Sequence, residues 1–207
     1  MKAIKIRKAL LGSLTTLTVA AYAPFSLAHD FWLEPTKFHF EEASPIAVQF
    51  KVGHKEDIDS WNLTWDKIVA LRNYTSTGIE DMAAGIIPKS SLLPGVAKTS
   101  TLQAGSYIIG FESYHSTSVL KADKFNDYAK KEGLKEVVEY RKDKGLEGYD
   151  GQELYSRKAK AIVQVGETLT DNVTKPIGHT LEIVPLSHPF TLGEDNSLTV
   201  QVLFKGK

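Results

Sequence analysis

The clearest strand pattern in the chain reads Leu102-Gln103-Ala104-Gly105-Ser106-Tyr107-Ile108-Ile109-Gly110-Phe111-Glu112-Ser113-Tyr114. From residue 107 onward the side chains alternate between two faces, with Ile109 and Phe111 on one side and Ile108 and Glu112 on the other. This period of two is typical of a β-strand, and residues 103–106 are typical of a turn. The pattern therefore predicts a turn that leads directly into a strand over 107–114.

Similar alternation predicts further strands on both sides of this one. They are expected near residues 38–40, 46–52, 67–72, 99–102, 155–165, 181–186 and 198–204. A Leu-x-Ala-Gly-x-Tyr approach to a strand, as at residues 102–107, is common in immunoglobulin-like and transthyretin-like sandwiches. We therefore predict a mainly β fold, an immunoglobulin- or transthyretin-like β-sandwich with a short helical insertion.

The helical insertion is predicted at about residues 121–145, where the alternation stops. Apolar residues recur there at helical spacing, in a narrow stripe of Phe125, Tyr128, Leu134 and Val138. Because Gly133 interrupts the pattern, we expect two short helices that lie on the outside of a sheet. The charged run over residues 130–144 is interpreted as a solvated helix face.

Residues 1–28 are predicted to be a secretory signal peptide. Four basic residues begin it, and the uncharged run that follows, residues 9–23, is shorter than the roughly 20 residues needed to span a bilayer. The small residues Ser26 and Ala28 suit a signal peptidase. Cleavage after Ala28 would make His29 the first residue of the mature protein and would leave no membrane span.

The charge and the cysteine content of the mature chain limit its possible partners and its cellular compartment. The leader carries four basic and no acidic residues, which leaves 21 basic against 25 acidic residues after cleavage. This balance argues against nucleic acid as a partner, since such proteins favour a basic face. The chain has no cysteine, so an exported form must be stabilised by its core rather than by disulfides. We expect a bacterial periplasmic protein.

The mature chain is predicted to divide into two parts. Residues 29–190 form the β-sandwich domain with its helical insertion. Residues 191–207 hold a final strand, which either pairs within this domain or begins a second β domain beyond Lys207.

Five stretches of the chain stand out together: Ala28-His29-Asp30-Phe31-Trp32-Leu33-Glu34-Pro35, Val52-Gly53-His54, residues 124–134, Tyr155-Ser156-Arg157-Lys158-Ala159-Lys160, and residues 178–186. In this order they resemble one family of exported bacterial proteins, a domain-of-unknown-function family. Its members are often described as the periplasmic component of a cobalt or nickel transport system, and some as lysozyme-like glycoside hydrolases. The resemblance implies a β-sandwich with a helical insertion, often followed by a second β domain.

Histidines are the candidate metal ligands, because imidazole is the commonest nitrogen ligand for transition metals. His29 is the strongest candidate, since a free terminal amine and an imidazole on one residue would grip a metal through two nitrogens. A free terminal amine has a pKa of about 8, so binding should strengthen as the pH rises. The predicted ligands are His29, His54, His115 and His179.

The other predicted ligands sit near strand ends. His54 and His179 each follow a glycine, and His115 follows the strand over 107–114. His39 and His188 are interpreted as surface residues. The expected ion is a divalent transition metal, nickel or cobalt, with copper or zinc as alternatives.

The sequence thus favours a periplasmic metal-binding protein for nickel or cobalt uptake or handling, with an inner-membrane metal transporter as its partner. One alternative is a copper-binding sandwich, a carrier or an oxidative enzyme, that uses the N-terminal histidine. Another is a metal-free module that binds a glycan or a protein through Trp61, Trp65 and Tyr74.

No catalytic residue is predicted, because the carboxylates are scattered and no Gly-x-Ser-x-Gly motif occurs. Arg157 is expected in a strand, where it would pair with a neighbouring acid or bind a carboxylate ligand; we favour the first.

Overall fold

The computed structural model describes residues 30–54, 57–191 and 196–207, and within them it has two five-stranded sheets that pack face to face. Sheet A consists of β1 (Asp30–Pro35), β3 (Ser44–His54), β4 (Asp57–Ser60), β7 (Ile86–Ile87) and β8 (Val96–Leu102). Sheet B consists of β2 (His39–Phe40), β5 (Ile68–Tyr74), β6 (Ile79–Asp81), β9 (Gly105–Ser113) and β12 (Lys158–Val165).

The two longest strands of sheet B, β9 and β12, are neighbours in the interior of the sheet. Sheet A runs β1–β3–β8–β7, with β4 also paired to β3, and sheet B runs β2–β12–β9–β5–β6. The strand predicted from residues 107–114 is β9, which pairs with β12 on one side and β5 on the other. The prediction of a mainly β sandwich is confirmed.

An aromatic cluster fills one end of the core between the sheets. Phe31 and Phe50 come from sheet A, Phe111 comes from β9, and Trp61 follows β4. Their ring centroids lie 5.3–6.5 Å apart, and Phe50 and Phe111 are fully buried. Burial of such large rings is a main source of stability in a protein without disulfides.

Both faces of β9 are buried, which the alternation alone does not predict. Ile109 and Phe111 face the core, whereas Ile108 and Gly110 lie under the segment that follows β12. An added Cβ at Gly110 would meet the Ile177 side chain at 2.7 Å. This segment therefore forms a third layer on the outer face of sheet B.

The third layer ends in a two-stranded sheet made of β13 (Leu181–Pro185) and β14 (Val200–Phe204). The strands are antiparallel, with Leu181 opposite Phe204. The final strand, predicted within residues 191–207, thus has its pairing partner in this same chain.

The helical insertion lies between β10 (Ser116–Leu120) and β11 (Gly151–Tyr155), which pair with each other. Its helices are α1 (Ala122–Lys131) and α2 (Lys135–Asp143), so the prediction of two short helices over residues 121–145 is confirmed.

Two details of this region differ from the sequence-based expectation. Arg141 is buried, so the charged run over residues 130–144 is not uniformly solvated. The single strand expected over 155–165 is two strands, β11 and β12, with a break at Ser156 and Arg157. The break allows the chain to leave one sheet and enter another.

The predicted signal peptide, residues 1–28, and the predicted ligand His29 lie outside the described residues. Within the described ranges, no helix combines the length and the hydropathy that a bilayer crossing requires.

Candidate functional site

His54 lies at the rim of sheet A, beside the first described residue of the chain. The pairing of β1 with β3 sets Asp30 opposite Gly53, the neighbour of His54. The His54 Nδ1 lies 3.2 Å from the Asp30 Oδ2, which is within ion-pair distance. The His54 side chain is 39% exposed, so it is accessible to a solute.

Gly53 explains why His54 takes this position. β4 is antiparallel to β3 and pairs so closely with it that an added Cβ on Gly53 would lie 2.1 Å from the Asp57 carbonyl oxygen. Only glycine allows this approach. The Gly-His pair in the sequence therefore marks a tight strand exit.

His29, the strongest predicted ligand, lies outside the described residues but is joined directly to Asp30. Of the predicted ligands at this rim, the structure describes His54, with the Asp30 carboxylate beside it.

His179 occupies a different environment, in a groove of about 660 Å³ between sheet B and the β13–β14 hairpin. Trp32 from β1 and Ile183 from β13 contribute to its apolar walls. His179 is only 8% exposed, and this burial lowers the pKa of its ring below the ordinary 6.5. A neutral, accessible imidazole nitrogen suits a metal, yet the groove offers mainly apolar surface.

The carboxylate of Glu182, close to His179, is hydrogen-bonded by the loop that precedes it. Glu182 accepts hydrogen bonds from the backbone N–H groups of Ile177, Gly178 and His179, at 2.8–3.1 Å, and from the Lys160 ammonium at 2.6 Å. These bonds occupy the oxygen atoms of the Glu182 carboxylate and fix the loop, which gives Glu182 a structural role. The sequence shows no sign of this beyond a glutamate in a buried strand position.

Burial alone would raise the pKa of Glu182, but the Lys160 ammonium and the amides of Ile177 and Gly178 hold it below its ordinary value of 4.5. The carboxylate is therefore ionised at neutral pH despite its burial.

His115 lies just after β9, where it lines a polar cavity of about 270 Å³ together with Lys67 and Arg157. The three predicted ligands that the structure describes, His54, His115 and His179, lie in three different places. In the ranges that the structure describes, no three His, Cys, Asp or Glu side chains are grouped closely enough to hold a metal ion. The four-histidine site stays a prediction.

His188, interpreted from the sequence as a surface residue, is half-buried and belongs to a hydrogen-bond network. Its Nε2 lies 2.8 Å from the Ser106 hydroxyl, which donates to the Gln164 side chain at 2.6 Å. Burial lowers the pKa of His188. The sequence analysis missed this network because the contact joins residues 82 positions apart, and no local pattern records it.

Arg157 also differs from its predicted setting. It lies at the break between β11 and β12, and its guanidinium carbon is 5.5 Å from the Phe31 ring centroid and 5.1 Å from that of Tyr155. Among the described residues no ion pair involves Arg157, so the expected pairing with a neighbouring acid is wrong.

The aromatic residues predicted for a glycan or protein surface are separated by their packing. Trp61 belongs to the core cluster, whereas Trp65 is 54% exposed. Tyr74 lies against Gly110 on the outer face of sheet B.

Comparison with curated proteins and with solved structures finds no significant match to this chain. A family model described as a domain of unknown function (DUF4198) matches residues 26–207. This range contains both sheets, the helical insertion and the β13–β14 hairpin. By this match over most of its length, the chain belongs to the DUF4198 family.

Proposed function

We propose that this protein is an exported metal-binding protein, which holds a divalent transition metal between a new N-terminal His29 and His54. It would serve nickel or cobalt uptake or handling in the periplasm and pass the ion to an inner-membrane transporter. The observation that supports this most is the contact between Asp30 and His54 at the end of β1.

Chain connectivity links that contact to His29. Consecutive Cα atoms lie about 3.8 Å apart, and this spacing applies to the Cα atoms of His29 and Asp30. Asp30 in turn touches the ring of His54. If the leader is cut after Ala28, a free amine and an imidazole arise within reach of a second imidazole.

The chemistry of this set favours late first-row metals. The amine and imidazole of His29 and the imidazole of His54 would supply three nitrogen ligands, and nitrogen-rich tetragonal sites suit Ni²⁺ and Cu²⁺. Asp30, whose carboxylate lies 3.2 Å from Nδ1 of His54, would play the part that carboxylates commonly play beside metal-bound histidines, with Nε2 as the nitrogen that binds the ion. Water or a carboxylate oxygen would complete the coordination.

The test starts from the exported, processed protein. Its N-terminal residue is determined, and it is then titrated with nickel, cobalt, copper and zinc by calorimetry in metal-free buffer. We expect one ion per chain. His54→Ala should weaken binding by about tenfold or more, as should one extra alanine placed before His29.

A matched control is His39→Ala, which removes an exposed imidazole from β2 in the other sheet. Its isotherm should equal that of the unaltered protein. Unchanged affinity in both His54→Ala and the extended protein would exclude this site. Copper is expected to bind most tightly in any nitrogen site of this kind, so the function in nickel or cobalt handling is tested by transport of those ions in cells that lack the protein.

A further inference from the structure

The polar cavity of about 270 Å³ lies where β9 ends and the chain passes from β11 into β12. The residues that line it include Trp61, Lys67, His115, Tyr155 and Arg157, and one acid, Asp66. The cavity is formed by residues 61–67, 113–116 and 155–157, three segments far apart in sequence.

Hydrogen bonds to Ser113 position the backbone of Arg157 at the edge of this cavity. Its backbone N–H donates to the Ser113 hydroxyl at 2.8 Å, and its carbonyl accepts from the Ser113 N–H at 2.9 Å. The rings of Phe31 and Tyr155 lie within 5.5 Å of the guanidinium. Among the described residues, no hydrogen bond or ion pair occupies the side-chain N–H donors of Arg157, which suit a planar anionic ligand.

In the described part of the chain, neither the Arg157 guanidinium nor the ammonium of its neighbour Lys67 forms an ion pair. The Lys67 ammonium donates to the Asn62 carbonyl at 3.3 Å and lies 5.3 Å from the Trp61 ring centroid. Asp66 lines the cavity but forms an ion pair with neither cation.

Other half-buried lysines of the sandwich are paired, which makes this cavity different. Lys158 contacts Glu112 at 3.1 Å and Lys160 contacts Glu182 at 2.6 Å. Two cations share this cavity with one acid, so an excess of positive charge remains, and an anion between the cations would offset it.

From this arrangement we infer that the cavity is a binding site for a small organic carboxylate, a mono- or dicarboxylic acid. The Arg157 fork would bind the carboxylate through two N–H groups, and Lys67 would add a second positive charge. The rings of Trp61 and Tyr155 would contact the carbon skeleton. The volume is at the lower limit of small-molecule pockets, which fits an acid of few carbon atoms. This site is independent of the proposed metal site, because its cations need no metal.

The test uses succinate as the probe, with acetate and inorganic phosphate beside it, in metal-free buffer of low ionic strength. Binding is followed by calorimetry and by tryptophan fluorescence, since Trp61 lines the cavity. We expect saturable binding of succinate. Arg157→Gln should weaken it by at least about tenfold and Lys67→Gln by several-fold. Arg157→Lys should also weaken it, because the charge remains but the fork is lost.

The matched control is Lys121→Gln, which removes one positive charge from a surface ion pair with Asp150 in the helical insertion. It should bind succinate as the unaltered protein does. If circular dichroism shows that Arg157→Gln does not fold, the succinate affinity of Lys67→Gln is the deciding measurement. The inference is overturned if the unaltered protein shows no saturable binding up to about 10 mM, if Lys67→Gln and Lys121→Gln bind alike, or if phosphate binds more tightly than succinate.

Discussion

The ammonium of Lys160 on β12 lies 2.6 Å from the carboxylate of Glu182 on β13, and the Glu182 side chain is 1% exposed. Three backbone N–H groups of the preceding loop donate to the same carboxylate. This contact attaches the third layer of the protein to the outer face of sheet B. The groove that contains His179 depends on it, because both Lys160 and Glu182 line that groove.

Glu182→Gln is therefore expected to destabilise the fold. The amide keeps the volume of the side chain but leaves the Lys160 ammonium without its counterion, and breaking a buried pair typically costs about 3–5 kcal/mol. The free energy of unfolding by urea measures the loss. Glu34→Gln is a suitable control, because Glu34 pairs with Lys51 in a half-exposed position, and exposed pairs contribute only about 0–1 kcal/mol. Equal effects of the two changes would contradict the structural role of Glu182.

Acid should reduce the stability that Glu182 provides. Its pKa in the folded state is below the ordinary 4.5, so the unfolded chain binds the proton more readily. The contribution is complete above pH 4.5 and is lost as the pH falls from there through the lower folded pKa. The stability difference between the unaltered protein and Glu182→Gln, measured from about pH 6 to about pH 3, should shrink over that interval. A constant difference would count against the prediction.

Asp30→Asn should weaken metal binding without abolishing it. The amide keeps the size of the side chain, but it lacks the charge that makes the imidazole a better donor to a metal, and changes of this kind cost about tenfold in affinity. Calorimetric titration with nickel gives the measurement. Asp59→Asn is the matched control, since Asp59 lies on β4 and pairs with Lys89. An unchanged affinity in Asp30→Asn would remove Asp30 from the proposed site.

Arg141→Met should loosen the helical insertion alone. The Arg141 guanidinium donates to the Asn126 side chain and to the carbonyls of Leu146 and Tyr149, at 2.6–2.9 Å, and lies over the Phe125 ring. Hydrogen bonds to a charged group contribute about 1.5–3 kcal/mol each. Hydrogen exchange should accelerate across residues 122–149 and stay unchanged in β9.

The neighbouring Lys142→Met provides the comparison for that experiment, because Lys142 is exposed. It should leave exchange in the insertion unaltered. Acceleration of exchange across β9 in Arg141→Met would show that the insertion and the sandwich unfold together.

The sequence alone predicted the elements whose signal is local. Alternation over residues 107–114 predicted β9, and apolar spacing over 121–145 predicted α1 and α2. Side-chain periodicity is set by the backbone of the element itself, with a repeat of two in a strand and 3.6 in a helix. The same reasoning located Gly53 and His54 at a strand end.

Only the tertiary structure decided which side chains meet. Arg157 was predicted in a strand beside an acid, yet its guanidinium lies near the rings of Phe31 and Tyr155 and shares a cavity with Lys67. Such contacts depend on strand order, register and the path of the loops, none of which a local repeat encodes. The physical reason is that the periodicity of a strand or helix fixes only the face on which a side chain lies. The packing of that face against other elements determines which residues the side chain contacts.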